Sequence, residues 1–236
     1  MAAACSTTSA SPRASGPANV VIAYGDSITR EASAVLAADL PKPGWRAIVR
    51  AVPGAALCDF SSRGEGGSQM EHDEQTLHPR LVVMAFAGTL ITPCTRGRGT
   101  RELVYAADSE TVATLWQAKG VKVLWATPPW FTYVEEIYIA AAKRHGQYVS
   151  FAGENLIDPS ARGYPPTYPP TLPCLPWEGP DRGCQPDRRI VVHTPPPPNP
   201  HLCPHAYDIR RGPCTGYSSG IQRWAGQIGH DAQLFE

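Results

Sequence analysis

The chain has 236 residues, with 21 Lys and Arg against 21 Asp and Glu, and this zero formal net charge argues against nucleic acid as the main partner. Apolar residues make up 42% and charged residues 18%, enough for one buried core and too apolar for a wholly disordered chain. No apolar run reaches the roughly 18 to 20 residues needed to cross a bilayer as a helix.

Residues 1–18 read as a flexible tether rich in Ser, Thr, Ala and Pro, which cannot bury itself. Within it, Ala3-Ala4-Cys5 resembles the end of a bacterial lipobox, although the charged and apolar parts of a signal peptide are missing. Cys5 is therefore either a lipid anchor left by a misplaced start or a trimmed signal, or an incidental cysteine in a disordered tail. Residues 19–236 read as one domain. Val20 to Tyr24 is a short apolar run ending at Gly25, suited to a strand buried on both faces. Trp45 to Val52 is a weaker strand, Leu81 to Ala87 a strong one ending at Gly88, and Val121 to Ala126 another, ending before Pro128-Pro129. Between them lie helical patterns over Arg101 to Lys119, with Leu103, Ala106, Ala107, Val112, Leu115 and Trp116 on the expected buried face, and over Thr132 to Arg144. Such alternation predicts a doubly wound α/β sheet. A last helix is expected from Ser218-Ser219, capped by a hydroxyl, through Ile221, Trp224 and Ile228.

From Asp158 to about Pro204 the regularity fails, in a Pro- and Cys-rich insertion extending to Cys214. The chain has 25 prolines, about twice the average share, and most of them sit here. Apart from Cys5 there are six cysteines, Cys58, Cys94, Cys174, Cys184, Cys203 and Cys214, with no Cys-x-x-Cys pair or zinc-finger spacing. Three disulfides in an exported protein are the better expectation, with no structural metal. Nearness along the chain favours Cys174 with Cys184 and Cys203 with Cys214, leaving Cys58 with Cys94, one of 15 possible connectivities.

Ligands of open α/β sheets bind beyond the carboxyl ends of the strands. The first strand ends in Gly25-Asp26-Ser27-Ile28-Thr29, where a serine after a tight glycine turn can present its hydroxyl to a cleft and its N–H to an oxyanion. By itself Gly-Asp-Ser also makes an ordinary helix cap, with Asp26 bonding the turn backbone. The second strand leads into Val52-Pro53-Gly54, the third into Gly88-Thr89, and His201 stands late in the chain. Serine, two strand-end glycines and a late histidine, in that order, resemble the SGNH hydrolase superfamily, the GDSL esterases and lipases, over Val20 to the C-terminus. Pro-Gly-x-x-x-Cys-Asp, Thr-Pro-Cys and His-x-Cys-Pro features are similar to its exported actinobacterial branch.

The resemblance implies a three-layer flavodoxin-like sandwich with a central parallel sheet and a cofactor-free serine ester hydrolase. Ser27 matches the nucleophile, His201 the base, and Ser27, Gly54 and Thr89 the oxyanion hole. Thr89 stands where the family has asparagine, and Pro198 where it has the aspartate that fixes the histidine tautomer. A backbone carbonyl, Asn199, Asp187 or Asp208 is left to orient His201. His193, ending the β-like run Ile190-Val191-Val192, is the competing base; His72, His78, His145 and His230 read as solvated, and His205 as a supporting group. The expected partner is a small-molecule, glycan or lipid ester, acted on by hydrolysis or acyl transfer by an extracellular or cell-surface monomer. The alternative is a degenerate SGNH domain that binds a glycan or lipid without turnover. Tyr164, Tyr168 and Trp177 either line such a site or simply pack among the prolines.

Overall fold

In the computed structural model the described residues are 19–61, 68–129, 132–157, 171–193, 201–203, 214 and 216–235. The apolar run after the tether forms strand β1 (Asn19–Gly25), followed by the short helices α1 (Ser27–Glu31) and α2 (Ser33–Asp39). Strand β2 (Trp45–Ala51) leads through α3 (Cys58–Ser61) and α4 (Gln69–Leu77) to β3 (Leu81–Ala85). Helix α5 (Arg101–Ala118), β4 (Lys122–Ala126), α6 (Thr132–His145) and β5 (Tyr148–Ser150) complete the alternation. The five strands are parallel in the order β2-β1-β3-β4-β5, with Ile22 opposite Ile48 on one side and Val82 on the other. This is the flavodoxin-like order, whose switch point lies between β1 and β3.

Side chains alternate across each strand and feed two cores. Val21, Ala23, Val83 and Leu124 pack with α1, α2 and the C-terminal helix α7 (Ser219–Ala232), whereas Ile22, Tyr24, Val82 and Trp125 pack with α3 to α6. The result is the three-layer α/β sandwich expected from the sequence. On α5 the buried stripe is Val104, Tyr105, Asp108, Val112, Ala113 and Trp116, while Leu103 is 65% exposed and Ala107 faces solvent. The large rings of Tyr105 and Trp116 set that face, and Leu103, two residues before Tyr105, lies roughly 200° around the helix from it. The short β5 and the helices α2 and α4 gave no clear periodic signal in the sequence.

The Pro-rich insertion is more regular than expected. Thr171–Pro173 (β6) and Arg189–Val191 (β7) pair antiparallel, and Cys174–Cys184 closes the loop between them. Glu178, buried in that loop, accepts from Leu175 N at 2.8 Å and pairs with Arg223 of α7 at 2.5 Å, which fastens the hairpin to the core. Ser218 caps α7 by accepting from Ile221 N, as the sequence suggested. The hairpin also presses on α7 at Gly220, where a Cβ would lie 1.8 Å from Val192 O. All three disulfides follow the expected pairing. The tether with Cys5, together with Tyr164, Tyr168, Pro198, Asn199, His205 and Asp208, lies outside the described residues.

Candidate active site

The turn from β1 into α1 sits at the sheet's switch point. Gly25 is required there by close approach: a Cβ would lie 2.0 Å from Thr29 Oγ1 and 2.5 Å from Ala85 O. Thr29, fully buried, donates its hydroxyl to that same Ala85 O at 2.5 Å and ties α1 to the end of β3. Asp26 is the N-cap of α1. Its Oδ1 accepts from Ile28 N at 3.0 Å, as a turn-bonding aspartate should, and its Oδ2 reaches across to Ala87 N at 2.7 Å. Burial pushes its carboxyl up to about 6 despite the bonds from Ala87 and Ile28, with Glu31 pushing the same way and His201 opposing.

Ser27 follows, half-buried at the first position of α1. Its N–H is one of the first-turn donors that a helix leaves without an internal partner, and it meets no acceptor among the described residues. After β2, Gly54 adopts φ +77° in a turn where Ala55 N donates to Val52 O and Ala56 N to Asp59 Oδ2. Gly54 N–H likewise meets no described acceptor, and the space beside its Cα is open to Ile91 Cδ1 at 3.9 Å. After β3, Gly88 has φ +95°, and a Cβ there would lie 2.2 Å from Tyr133 Oη; Thr89 follows, half-buried. The Cys58–Cys94 disulfide joins the loops that carry Gly54 and Thr89.

His201 is drawn to this edge by a residue that the sequence reading missed. Its Nδ1 is in short ion-pair contact with Oε1 of Glu31, whose side chain is 0% exposed. Glu31 Oε2 accepts from Leu202 N at 2.8 Å, and its carbonyl accepts from Cys214 N at 3.3 Å. Ser218 Oγ donates to Leu202 O, and Cys203–Cys214 closes the same segment. Among the described residues the carboxylate on His201 comes from α1; Asp187, the one acid considered for it that is described, instead accepts from Arg189 N at 3.1 Å in its own exposed turn. The bond from Glu31 raises the His201 pKa, burial lowers it, and the charges of Glu31 and Asp26 raise it further. A signal for Glu31 was present: it lies four residues after Ser27, on the same helical face, and sits between Ile28 and Ala32 in a stripe that is otherwise apolar.

His193 is buried at the end of β7, and it is His201 that meets the carboxylate on the serine-bearing helix. His145 is not solvated as expected: its Nε2 lies 2.9 Å from Glu110 and its Nδ1 2.9 Å from Gln117, because the end of α6 packs on α5.

A GDSL-like lipase from Bacteroides thetaiotaomicron superposes with a TM-score of 0.54 at 15% identity, over 92% of this chain and 88% of the lipase. The chain has the SGNH-hydrolase fold. An alpha/beta hydrolase enzyme from the metagenome of Lake Arreo matches more loosely, with a TM-score of 0.48 and 16% identity over 58% of this chain and 78% of that one. A family two carbohydrate esterase from Clostridium thermocellum gives 0.44 and 12% over 92% and 63%. No protein-family model and no curated protein matches the sequence. The ends of β1, β2 and β3, which carry Ser27, Gly54 and Thr89, lie along one edge of this SGNH-type sheet, beside the His201 segment.

Proposed function

We propose that the chain is a serine-dependent ester hydrolase of the SGNH type, acting on a small-molecule, glycan or lipid acyl ester. The observation that carries this reading is the tie between the Ser27 helix and His201 through Glu31, at the switch point of the sheet. With Nδ1 turned to a carboxylate, Nε2 is the nitrogen assigned to act as base. Ser27 Oγ attacks the acyl carbon while its proton passes to His201 Nε2. The negative charge on the carbonyl oxygen is received by Ser27 N–H, Gly54 N–H and the Thr89 hydroxyl. Collapse expels the alcohol, which leaves with the proton from His201. Water then attacks the acyl-enzyme with His201 again as base, releasing the acid and restoring Ser27; a sugar hydroxyl in place of water would give acyl transfer.

Asp26 holds the turn, and His193 is assigned no part in proton transfer. The competing reading, a degenerate binder, leaned on two departures, Pro198 in place of the family aspartate and Thr89 in place of its asparagine; a buried carboxylate on His201 answers the first and leaves the second standing. The three disulfides favour an oxidising, extracellular or cell-surface location, with Cys5 as a candidate lipid anchor. Among the described residues no helix is long and apolar enough to cross a membrane.

The test is labelling by a fluorophosphonate probe and release from a short p-nitrophenyl ester, wild type beside Ser27→Ala. Labelling and turnover that vanish in Ser27→Ala are expected. Turnover unchanged by that substitution, or none in the wild type, would overturn the reading.

A further inference from the structure

We infer that Glu31 is the positioning residue for His201, a carboxylate supplied from the nucleophile's own helix; the inference rests on the Ser27–His201 reading above. Glu31 makes two kinds of contact. One carboxylate oxygen meets His201 Nδ1, while the other accepts from Leu202 N at 2.8 Å and the backbone carbonyl accepts from Cys214 N at 3.3 Å. The first contact acts on the imidazole, and the other two clamp the segment that carries it. A carboxylate buried this completely is costly without partners; here Oε2 accepts from Leu202 N, and Oε1 lies against His201 Nδ1 in an ion-pair contact. Such a group at Nδ1 holds the tautomer with its proton on Nδ1, leaves Nε2 as base, and steadies the imidazolium formed during attack.

The nucleophile and the acid therefore sit one helical turn apart on the five-residue α1. The histidine loop, which has proline where related chains keep aspartate, needs to contribute only the imidazole. Two acidic groups act on His201, Glu31 from α1 and Asp26 from the turn before it, and both raise its pKa. Replacing Glu31 lowers that pKa, while Asp26 stays in place.

Glu31→Gln separates positioning from clamping. Glutamine keeps an oxygen for Leu202 N, but its amide presents N–H groups to Nδ1 and favours the wrong tautomer. A mere clamp predicts a Gln variant close to wild type. Positioning predicts a kcat loss of about 10² to 10⁴-fold with the thermal midpoint little changed. It also moves the acid limb of kcat/KM to lower pH, because that limb follows the free-enzyme base. Should the variant fail to fold, ¹⁵N-histidine spectra of the wild type decide, with His201 assigned by its loss in His201→Asn. The expected spectrum has the proton on Nδ1 and a titration above the ordinary value of about 6.5. If the wild type labels at Ser27 but Glu31→Gln keeps its rate within about threefold and its acid limb, or His201 shows the proton on Nε2, the inference falls and the hydrolase reading stands. Absence of Ser27 labelling in the wild type overturns the hydrolase reading itself.

Discussion

Gly25→Ala tests whether the serine turn is held by close approach. The backbone at Gly25 is not in the left-handed region, so only the added methyl matters. That methyl would lie 2.0 Å from Thr29 Oγ1, 2.4 Å from Thr29 Cβ and 2.5 Å from Ala85 O. Two of these atoms form the buried bond that ties α1 to β3, so no flexible side-chain end can swing away. Opening the shortest gap to an ordinary contact near 3.5 Å requires a shift of about 1.5 Å between α1 and the sheet. Overpacking of this kind costs about 1–3 kcal/mol. Pulling Thr29 from Ala85 O leaves a buried donor and acceptor unpaired, about 1–3 kcal/mol more. The smaller unfolded-state entropy of alanine returns about 0.4–1 kcal/mol. A net loss of about 1–6 kcal/mol is expected, against a domain's usual stability of about 5–15 kcal/mol. Urea unfolding reads this as a lower midpoint at unchanged slope. Because Ser27 and Glu31 travel with α1, the rate of fluorophosphonate labelling should fall about 10²-fold or more in the fraction that remains folded. Gly226→Ala is the control: that glycine lies inside α7 with nothing within 4 Å of a Cβ, so alanine should stabilise by up to about 1 kcal/mol. A Gly25→Ala protein with the midpoint and labelling rate of the wild type would refute the close-approach argument.

Two further outcomes follow from the same edge of the sheet. Burial holds the Asp26 carboxyl at about 6 in the folded protein, above its unfolded value of about 3.9, so the folded state binds the extra proton between these values. Its contribution is therefore fully present below about pH 4 and is lost as pH rises through 6, by about 3 kcal/mol. Asp26→Asn should flatten that fall in a series of unfolding curves from pH 4 to 7, although an amide facing Ala87 N–H lowers stability at every pH; an unaltered pH slope would refute the assignment. Replacing Cys203 and Cys214 by serine removes a crosslink spanning 11 residues, worth about 2–3 kcal/mol, beside the His201 contact. The thermal midpoint should drop and kcat should fall more than KM rises, and equal activity in the two proteins would show that the crosslink does not steady His201.

The parts that the sequence disclosed were those governed by local pattern. Buried parallel strands are near-continuous apolar runs, so β1, β3 and β4 could be read directly, and Ser218 announced α7 through its capping hydroxyl. The insertion misled because proline reports what a segment cannot form. The β6–β7 hairpin depends on non-local partners instead, the Cys174–Cys184 bridge and the buried Glu178–Arg223 pair. The acid at His201 was missed for a related reason. Reading along the histidine loop looked for a carboxylate a few residues before His201, where Pro198 stands, whereas the contact joins residues 170 positions apart. Yet Glu31 broke a local rule in plain view, as a charge placed among Ile28, Ala32 and Leu36, all buried. A carboxylate on an apolar helical stripe needs a buried partner, and the residues able to supply one are cations and histidines. Applied one turn beyond the serine, that rule points from Glu31 to a buried cation or histidine without any family pattern, and the partner in the structure is His201.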